Sequence, residues 1–176
     1  MDTTLQTWTL LPAIAGAVGL VIAAAFYFRV KALPEGNETM QRIGGYIRAG
    51  AMAFLAREYR VLAVYAVVVF GALSALISVA AGGWFLAGAI LSLLAGFVGM
   101  KAATYGNVRT AQAAAGGSKP NALLTALDGG AVMGLCVAGL SLLGLFVVYK
   151  LNVGGEALGT SLHAFAVGAS SIALFA

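Results

Sequence analysis

The chain has 176 residues, of which 61% are hydrophobic and 9% are charged, and its mean hydropathy is +0.98. Soluble domains carry roughly 25% charged residues, so this composition excludes a water-exposed globular fold and makes lipid the main solvent. The net charge of +4 is no signature of nucleic-acid binding, and the lone Cys136 excludes a disulfide framework and a cysteine metal site.

Five apolar segments follow one another along the chain, and each is predicted to be a membrane helix. A segment in lipid must satisfy its own backbone hydrogen bonds, and about 20 helical residues cross the hydrocarbon core. The sequence therefore predicts an all-α, polytopic transmembrane helix bundle that forms a single integral membrane segment. Four full spans and the start of a fifth are placed at about 8–28, 61–81, 84–103, 126–149 and 160–176.

Basic residues are divided unequally between the two sides of the predicted membrane. Eight of the ten lie between spans one and two or between spans three and four, and Lys101 lies at the same end of span three. Only Lys150 lies on the other side. Because basic residues favour the cytosolic side, the amino terminus is predicted to be outside. No basic residue precedes the first apolar segment, so a cleaved signal peptide is not expected. The stretch Ala80–Gly83 is predicted to be a tight outer turn between spans two and three.

The stretch 40–60 is predicted to be an amphipathic helix that continues directly into span two. A helix from about residue 40 to residue 81 would be about 60 Å long at 1.5 Å per residue. About half of it would then stand in the cytosol. Its apolar stripe, which is expected to face inward, consists of Ile43, Ile47, Ala51 and Phe54, followed by Glu58.

Residues 101–115 are predicted to be the cytosolic extension of span three, which the linker 116–120 ends. Pro120 is suited to the first turn of the next helix. Helices that extend beyond the bilayer on one side form a stalk. An enzyme or transporter that holds a charged cytosolic substrate could use such a stalk, whereas a plain membrane anchor has no use for one. The polar face of this extension consists of Lys101, Thr104, Tyr105 and Gln112, with Arg109 at its edge.

Small residues recur at helical spacing within the spans. Helices in lipid gain little from burying leucine and associate through close backbone contact at small residues. These residues are therefore predicted to be packing positions and not ligand-binding ones. They are Ala15 and Gly19 in span one, Gly88, Ser92 and Gly96 in span three, and Gly130, Gly134 and Ala138 in span four.

Few side chains are candidates for chemistry. Glu58, on the inward stripe, is interpreted as a structural ion pair with Lys101 or Arg109, or alternatively as a proton or cation relay. Asp128 is expected to be a solvated interfacial charge, although it could touch metal or substrate. Ser170 and Ser171 could line a pathway or hydrogen-bond back to their own helix. His163 has no partner at metal-ligand spacing and is interpreted as structural.

Four stretches, in order and at consistent spacing, indicate a family. The sequence resembles the amino-terminal quarter of the membrane-bound inorganic pyrophosphatases that pump protons or sodium. The resemblance runs through most of residues 43–176. The stretches are IRAGAMAFLAREY (47–59), GMKAATYGNVRTAQAA (99–114), GGAVMGLCVAGLSLLGL (129–145) and GASSIALFA (168–176).

The resemblance implies a larger homodimeric pump, in the bacterial inner membrane, that hydrolyses pyrophosphate at a cytosolic Mg²⁺ site and moves protons or sodium outward. K⁺ is a candidate activator. In the family, the residues that bind substrate and metal come after the point that matches Ala176. Catalytic, substrate-binding and metal-binding residues are therefore expected outside this chain, and the remainder of the pump polypeptide is its expected partner.

The residues alone leave another class of protein open. No apolar run contains two or three carboxylates at i, i+3 or i+4 spacing, and neither a phosphate-binding loop nor a His/Cys cluster occurs. A non-catalytic membrane scaffold or a small transporter subunit would share the same hairpins and glycines. On either reading this piece alone is expected to be catalytically inactive.

Overall fold

The computed structural model describes residues 3–174, which form helices and short connections without any strand. This confirms the predicted all-α class. Four of the helices are long and apolar enough to cross a membrane, whereas the last is a shorter apolar helix. The five helices are α1 (Thr3–Ala32), α2 (Glu38–Leu76), α3 (Val79–Ala115), α4 (Lys119–Asn152) and α5 (Leu158–Ala173).

Polar side chains and glycines mark the helix boundaries. The Asn37 side chain accepts a hydrogen bond from the Met40 backbone N–H at 2.9 Å and caps α2. The predicted end of the α3 extension is confirmed, because α3 ends at Ala115, Gly117 has φ +79°, and Pro120 lies in the first turn of α4.

The predicted outer turn at Ala80–Gly83 is wrong, because these residues lie inside α3. The chain turns earlier, at Ile77 and Ser78, where the Ser78 hydroxyl accepts a hydrogen bond from the Ala81 backbone N–H at 3.1 Å. A serine at the cap position satisfies a helix donor that would otherwise have no partner. Gly82 is buried against Phe70 and Ser74 of α2, which closes the hairpin.

The long helices extend well beyond the thickness of a bilayer. α2 has 39 residues and α3 has 37, so they are about 58 Å and 55 Å long at 1.5 Å per residue. The hydrocarbon core needs only about 30 Å. The prediction that 40–60 and 101–115 are helical is therefore confirmed, and each polar half continues its apolar half without a break.

The inward face of α2 differs from the predicted stripe. Ile43, Ile47 and Phe54 are exposed on the described part of the chain. The face that packs on α3 carries Gly44, Leu55, Leu62 and Ala66 instead. Gly44 explains why this face turns toward α3, because a Cβ at this position would lie 2.5 Å from Cγ2 of Val108 on α3. Close approach at this glycine sets the rotation of α2 and turns the larger apolar residues outward.

The central helix is α3, which packs against α2, α4 and α5, while α1 packs mainly on α4. Backbones approach closely at glycines, as predicted for Gly88. A Cβ on Gly88 would collide with the Phe165 carbonyl oxygen of α5, and one on Gly168 would collide with the Phe85 carbonyl oxygen of α3.

The small residues predicted to mediate packing in span four lie on the wrong face of α4. A Cβ added to Gly130 or Gly134 would meet no atom within 4 Å, so these glycines do not mediate packing between the described helices. Gly139 contacts α1 instead: a Cβ on this glycine would lie 2.8 Å from the carbonyl oxygen of Gly16. α4 is therefore rotated so that Gly139 contacts α1, whereas the predicted series Gly130, Gly134 and Ala138 does not.

Candidate functional site

A buried arginine, Arg109, lies on the polar half of α3. Only 5% of its surface is exposed. Nε donates to the Leu33 carbonyl at 2.8 Å, and Nη2 donates to the Lys31 carbonyl at 2.8 Å. Nη1 donates to the Tyr105 carbonyl at 3.0 Å, and Nη2 also donates to Oε1 of Glu35 at 2.9 Å. The guanidinium is thus bonded in several directions at once.

These bonds explain why an arginine occupies this position. α1 ends at Ala32, and the last carbonyls of a helix have no donor within the helix. A cation there also interacts favourably with the helix dipole. The planar fork of arginine can reach separate acceptors simultaneously, which a lysine cannot do. Arg109 therefore caps α1 from α3 and holds the two helices together.

Glu35 joins this arginine to α2. Its Oε1 accepts a hydrogen bond from Nη2 of Arg48 at 3.3 Å as well as the one from Arg109. The Glu35 side chain is 30% exposed and that of Arg48 is 32% exposed. One carboxylate in the α1–α2 connection thus ties the polar halves of α2 and α3 together.

The ring of Tyr105 is surrounded by cations. Cζ of Arg48 lies 4.6 Å from the ring centroid, Cζ of Arg109 lies 5.5 Å away, and Nζ of Lys31 lies 5.7 Å away. Such contacts each stabilise by about 0.5–2 kcal/mol, depending on exposure. Lys31, Glu35, Arg48, Tyr105 and Arg109 are called the Tyr105 cluster below.

Asp128 of α4 is buried, with 8% of its surface exposed, so the expectation of a solvated charge is wrong. Its Oδ2 lies 3.4 Å from Nε of Arg29 on α1. The two residues meet because the start of α4 packs beside the end of α1. This ion pair brings the α1–α2 and α3–α4 connections to the same end of the bundle, which is called the basic end below.

A polar cavity of about 460 Å³ opens at the basic end between α1, α3 and α4. Its polar lining can donate and accept hydrogen bonds, but the described residues hold no group of three His, Cys, Asp or Glu that could bind a metal. The polar lining residues are Arg29, Arg109, Gln112, Ser118, Asn121, Thr125 and Asp128.

Comparison with known proteins decides the family. The family model described as "Inorganic H+ pyrophosphatase" matches residues 17–176. The chain belongs to this inorganic H⁺ pyrophosphatase family.

The curated relatives are ion pumps that are much longer than this chain. A "K(+)-stimulated pyrophosphate-energized sodium pump" of Thermotoga maritima is 42% identical over 169 residues, which cover 89% of this chain and 23% of the relative. A "K(+)-insensitive pyrophosphate-energized proton pump" of Methanosarcina mazei is 42% identical over 167 residues, covering 93% and 24%. That of Pyrobaculum aerophilum is 37% identical over 182 residues, covering 96% and 24%. The chain spans about a quarter of the length of these relatives.

In this pyrophosphatase segment, Lys101 and Arg109, the predicted partners of Glu58, contact other residues. Arg109 pairs with Glu35, and Nζ of Lys101 lies 4.6 Å from the centroid of the Phe97 ring. Within residues 3–174 no cation lies within 4.0 Å of the Glu58 carboxylate, so its predicted pairing with Lys101 or Arg109 does not form. The rotation of α2 about Gly44 explains this, because it leaves Glu58 half-buried and away from both cations.

The serines and the histidine of α5 have different environments. Ser171 Oγ donates to the Gly168 carbonyl at 3.4 Å, and Nδ1 of His163 lies 2.7 Å from the Gly159 carbonyl oxygen, so both bond to their own helix. Ser170 lines an apolar groove of about 290 Å³ between α3, α4 and α5, together with Ser92 and Ser141. A role of Ser170 in an ion pathway stays a prediction.

Sequence reasoning misses Glu35, the residue that organises the Tyr105 cluster. It lies 74 residues from Arg109, so no local spacing links the two. Its position next to Pro34 and Gly36, directly after α1, is the available signal. A carboxylate in a short connection can reach the helix ends on both sides of it.

Proposed function

We propose that this chain is the amino-terminal portion of a pyrophosphate-energized ion pump. The pump hydrolyses inorganic diphosphate to phosphate and couples this reaction to outward translocation of protons or sodium. The family match over residues 17–176 is the observation that carries the proposal. The names of the relatives, all pyrophosphate-energized pumps, support it.

This portion contributes a rigid frame to the pump. Its apolar halves stand in the bilayer, and its polar halves project at the basic end, where the Tyr105 cluster fixes them. The catalytic, substrate-binding and metal-binding residues belong to the remainder of the polypeptide, and this portion is inactive alone. Mg²⁺ would neutralise the diphosphate there and help to activate water. The working pump is a homodimer, and K⁺ is a candidate activator.

The proposed orientation puts the amino terminus outside and the basic end in the cytosol. It rests on the nine basic residues at that end against Lys150 alone at the other. The membrane is the inner membrane of a bacterial cell. Proton and sodium pumps match this chain at the same 42% identity, so overall similarity does not separate the two ions.

The test is transport by the product of the complete gene in inverted membrane vesicles. Adding pyrophosphate with Mg²⁺ should release phosphate and drive either acidification, read by a pH-sensitive dye, or uptake of radioactive sodium. Repeating the assay with and without K⁺ tests the activator. A non-hydrolysable diphosphonate is the control and should support neither signal.

A second outcome would favour the alternative. Vesicles that contain the full-length protein but neither hydrolyse pyrophosphate nor transport either ion would contradict the pump. A reading frame that stops at codon 176 would favour a non-catalytic scaffold or a small transporter subunit. A frame that continues into carboxylate-rich helices supports the pump.

A further inference from the structure

The Tyr105 cluster carries more positive charge than its own carboxylate neutralises. Lys31, Arg48 and Arg109 all lie within 5.7 Å of one ring centroid, whereas Glu35 is the single acidic member. Like charges this close repel one another, and the repulsion is strong away from bulk water. The ring faces offset part of this cost, but a surplus of two positive charges is left.

Two cations of the cluster have unused donors. Among the described residues, no carboxylate lies within 4.0 Å of the Lys31 ammonium, and Lys31 is exposed. Nε of Arg48 is buried and has no acceptor in the described part of the chain. A buried donor without a partner is uncommon, and an ion or water outside the polypeptide is one of its ordinary explanations.

The other charged groups at this end do not supply the missing anion. Asp128 pairs with Arg29 at 3.4 Å. Glu38 and Glu58 of α2 have no cation within 4.0 Å among residues 3–174, so neither reaches Lys31 or Arg48. Lys101, one turn before Tyr105 on α3, adds further positive charge. The described residues therefore leave the surplus positive charge of the cluster unbalanced, and an anion from outside them would balance it.

The position of the Tyr105 cluster along the helices, relative to the bilayer, suggests what that anion is. The uncharged part of α3, residues 79–100, is about 33 Å long at 1.5 Å per residue, which matches a hydrocarbon core of about 30 Å. Tyr105 lies only about 8 Å further along the helix. This is the layer in which lipid phosphates lie. Lys31 likewise comes at the end of the apolar helix α1.

We propose that the Tyr105 cluster binds the phosphate oxyanion of an anionic lipid headgroup, with the exposed Lys31 as the direct donor and Arg48 contributing positive charge beside it. Arg109 is too buried to reach a lipid and contributes charge and the position of Tyr105. The lipid would link the ends of α1, α2 and α3 and stabilise the basic end of the bundle. The binding chemistry is separate from hydrolysis and does not depend on the proposed pumping reaction.

The test is native mass spectrometry of the purified full-length protein, titrated with phosphatidylglycerol or with phosphatidylcholine. The wild type should bind phosphatidylglycerol preferentially. Lys31→Gln should weaken this binding about fivefold, the loss expected for one basic residue near a membrane surface. Arg57→Gln is the matched control, because Arg57 is exposed on α2 and outside the cluster, and it should leave the binding unchanged.

Lys31 donates no side-chain hydrogen bond within the described residues, so its replacement should leave the fold intact, and equal melting temperatures of the two variants would verify this. Equal phosphatidylglycerol affinity of wild type and Lys31→Gln would overturn the site. A titration of the same protein with inorganic phosphate tests the other source of a phosphate oxyanion. If inorganic phosphate binds in a Lys31-dependent manner while phosphatidylglycerol does not, the lipid source is wrong. Because no pyrophosphate is present, the result is independent of the transport assay.

Discussion

Gly168→Ala should destabilise the full-length protein by about 3 kcal/mol or more, because α5 could no longer approach α3. The new Cβ would collide with the Phe85 carbonyl oxygen and lie 2.8 Å from the carbonyl carbon. These are backbone atoms, which cannot rotate away as a side chain can. Overpacking a tight contact typically costs about 1–3 kcal/mol and sometimes more, and here two helix backbones must separate.

The measurement is thermal unfolding of the purified protein in detergent, with Gly134→Ala as the matched control. Gly134 is also helical, but a Cβ there meets nothing within 4 Å. Alanine should therefore leave the melting temperature unchanged or raise it slightly, since alanine favours a helix over glycine by up to about 1 kcal/mol. If Gly168→Ala has the same melting temperature as the wild type, the close α3–α5 contact at Gly168 is wrong.

Arg109→Met should cost about 2–4 kcal/mol of stability, because a buried hub of hydrogen bonds is lost. The carbonyls of Lys31 and Leu33 would lose their Arg109 donor, and Glu35 would keep only Arg48. The Tyr105 carbonyl would keep its helical backbone bond and lose only the guanidinium. Unpaired buried acceptors each cost about 1–3 kcal/mol. The partial exposure of Glu35 limits the electrostatic share of the loss.

Melting temperature and limited trypsin digestion after Lys31, in the last turn of α1 before the α1–α2 connection, should report this change together. Arg109→Lys should recover less than half of the loss, because an ammonium cannot reach the separate acceptors as the planar fork does. Arg60→Met is the control, since Arg60 is exposed and its Nε bonds only the Ala56 carbonyl of its own helix. Full recovery by lysine would contradict the capping role of the fork.

The helices themselves can be predicted from sequence, because each depends on local information. The apolar length of each span, the break at Gly116 and Gly117, and Pro120 all act within a few residues of the boundary they set. Sequence reasoning misplaces the turn between α2 and α3 because glycines favour a turn in general, whereas Gly82 serves close packing here. The turn lies instead at Ser78, whose hydroxyl caps the start of α3.

The faces of the helices and the polar contacts cannot be predicted in the same way. The stripe of Ile43, Ile47 and Phe54 is the more hydrophobic face of α2, yet Gly44 turns toward α3. Close backbone approach at Gly44 outweighs side-chain hydrophobicity here, so a rule based on apolar periodicity selects the wrong face. Arg109 meets Glu35 only because the end of α1 packs beside the polar half of α3, and that information lies in tertiary packing.

In the proposed orientation, the polar halves of α2 and α3 stand together on one side of the membrane, opposite the α4–α5 connection. This arrangement can be tested with single cysteines in a cysteine-free background of the full-length protein in which Cys136 is serine. The substitutions Arg42→Cys, Ala111→Cys and Glu156→Cys all lie at exposed positions. A membrane-impermeant maleimide should label the first two in inverted vesicles and the third in right-side-out vesicles. Labelling of position 156 from the same side as position 111, or of positions 42 and 111 from opposite sides, would contradict this arrangement of the helices.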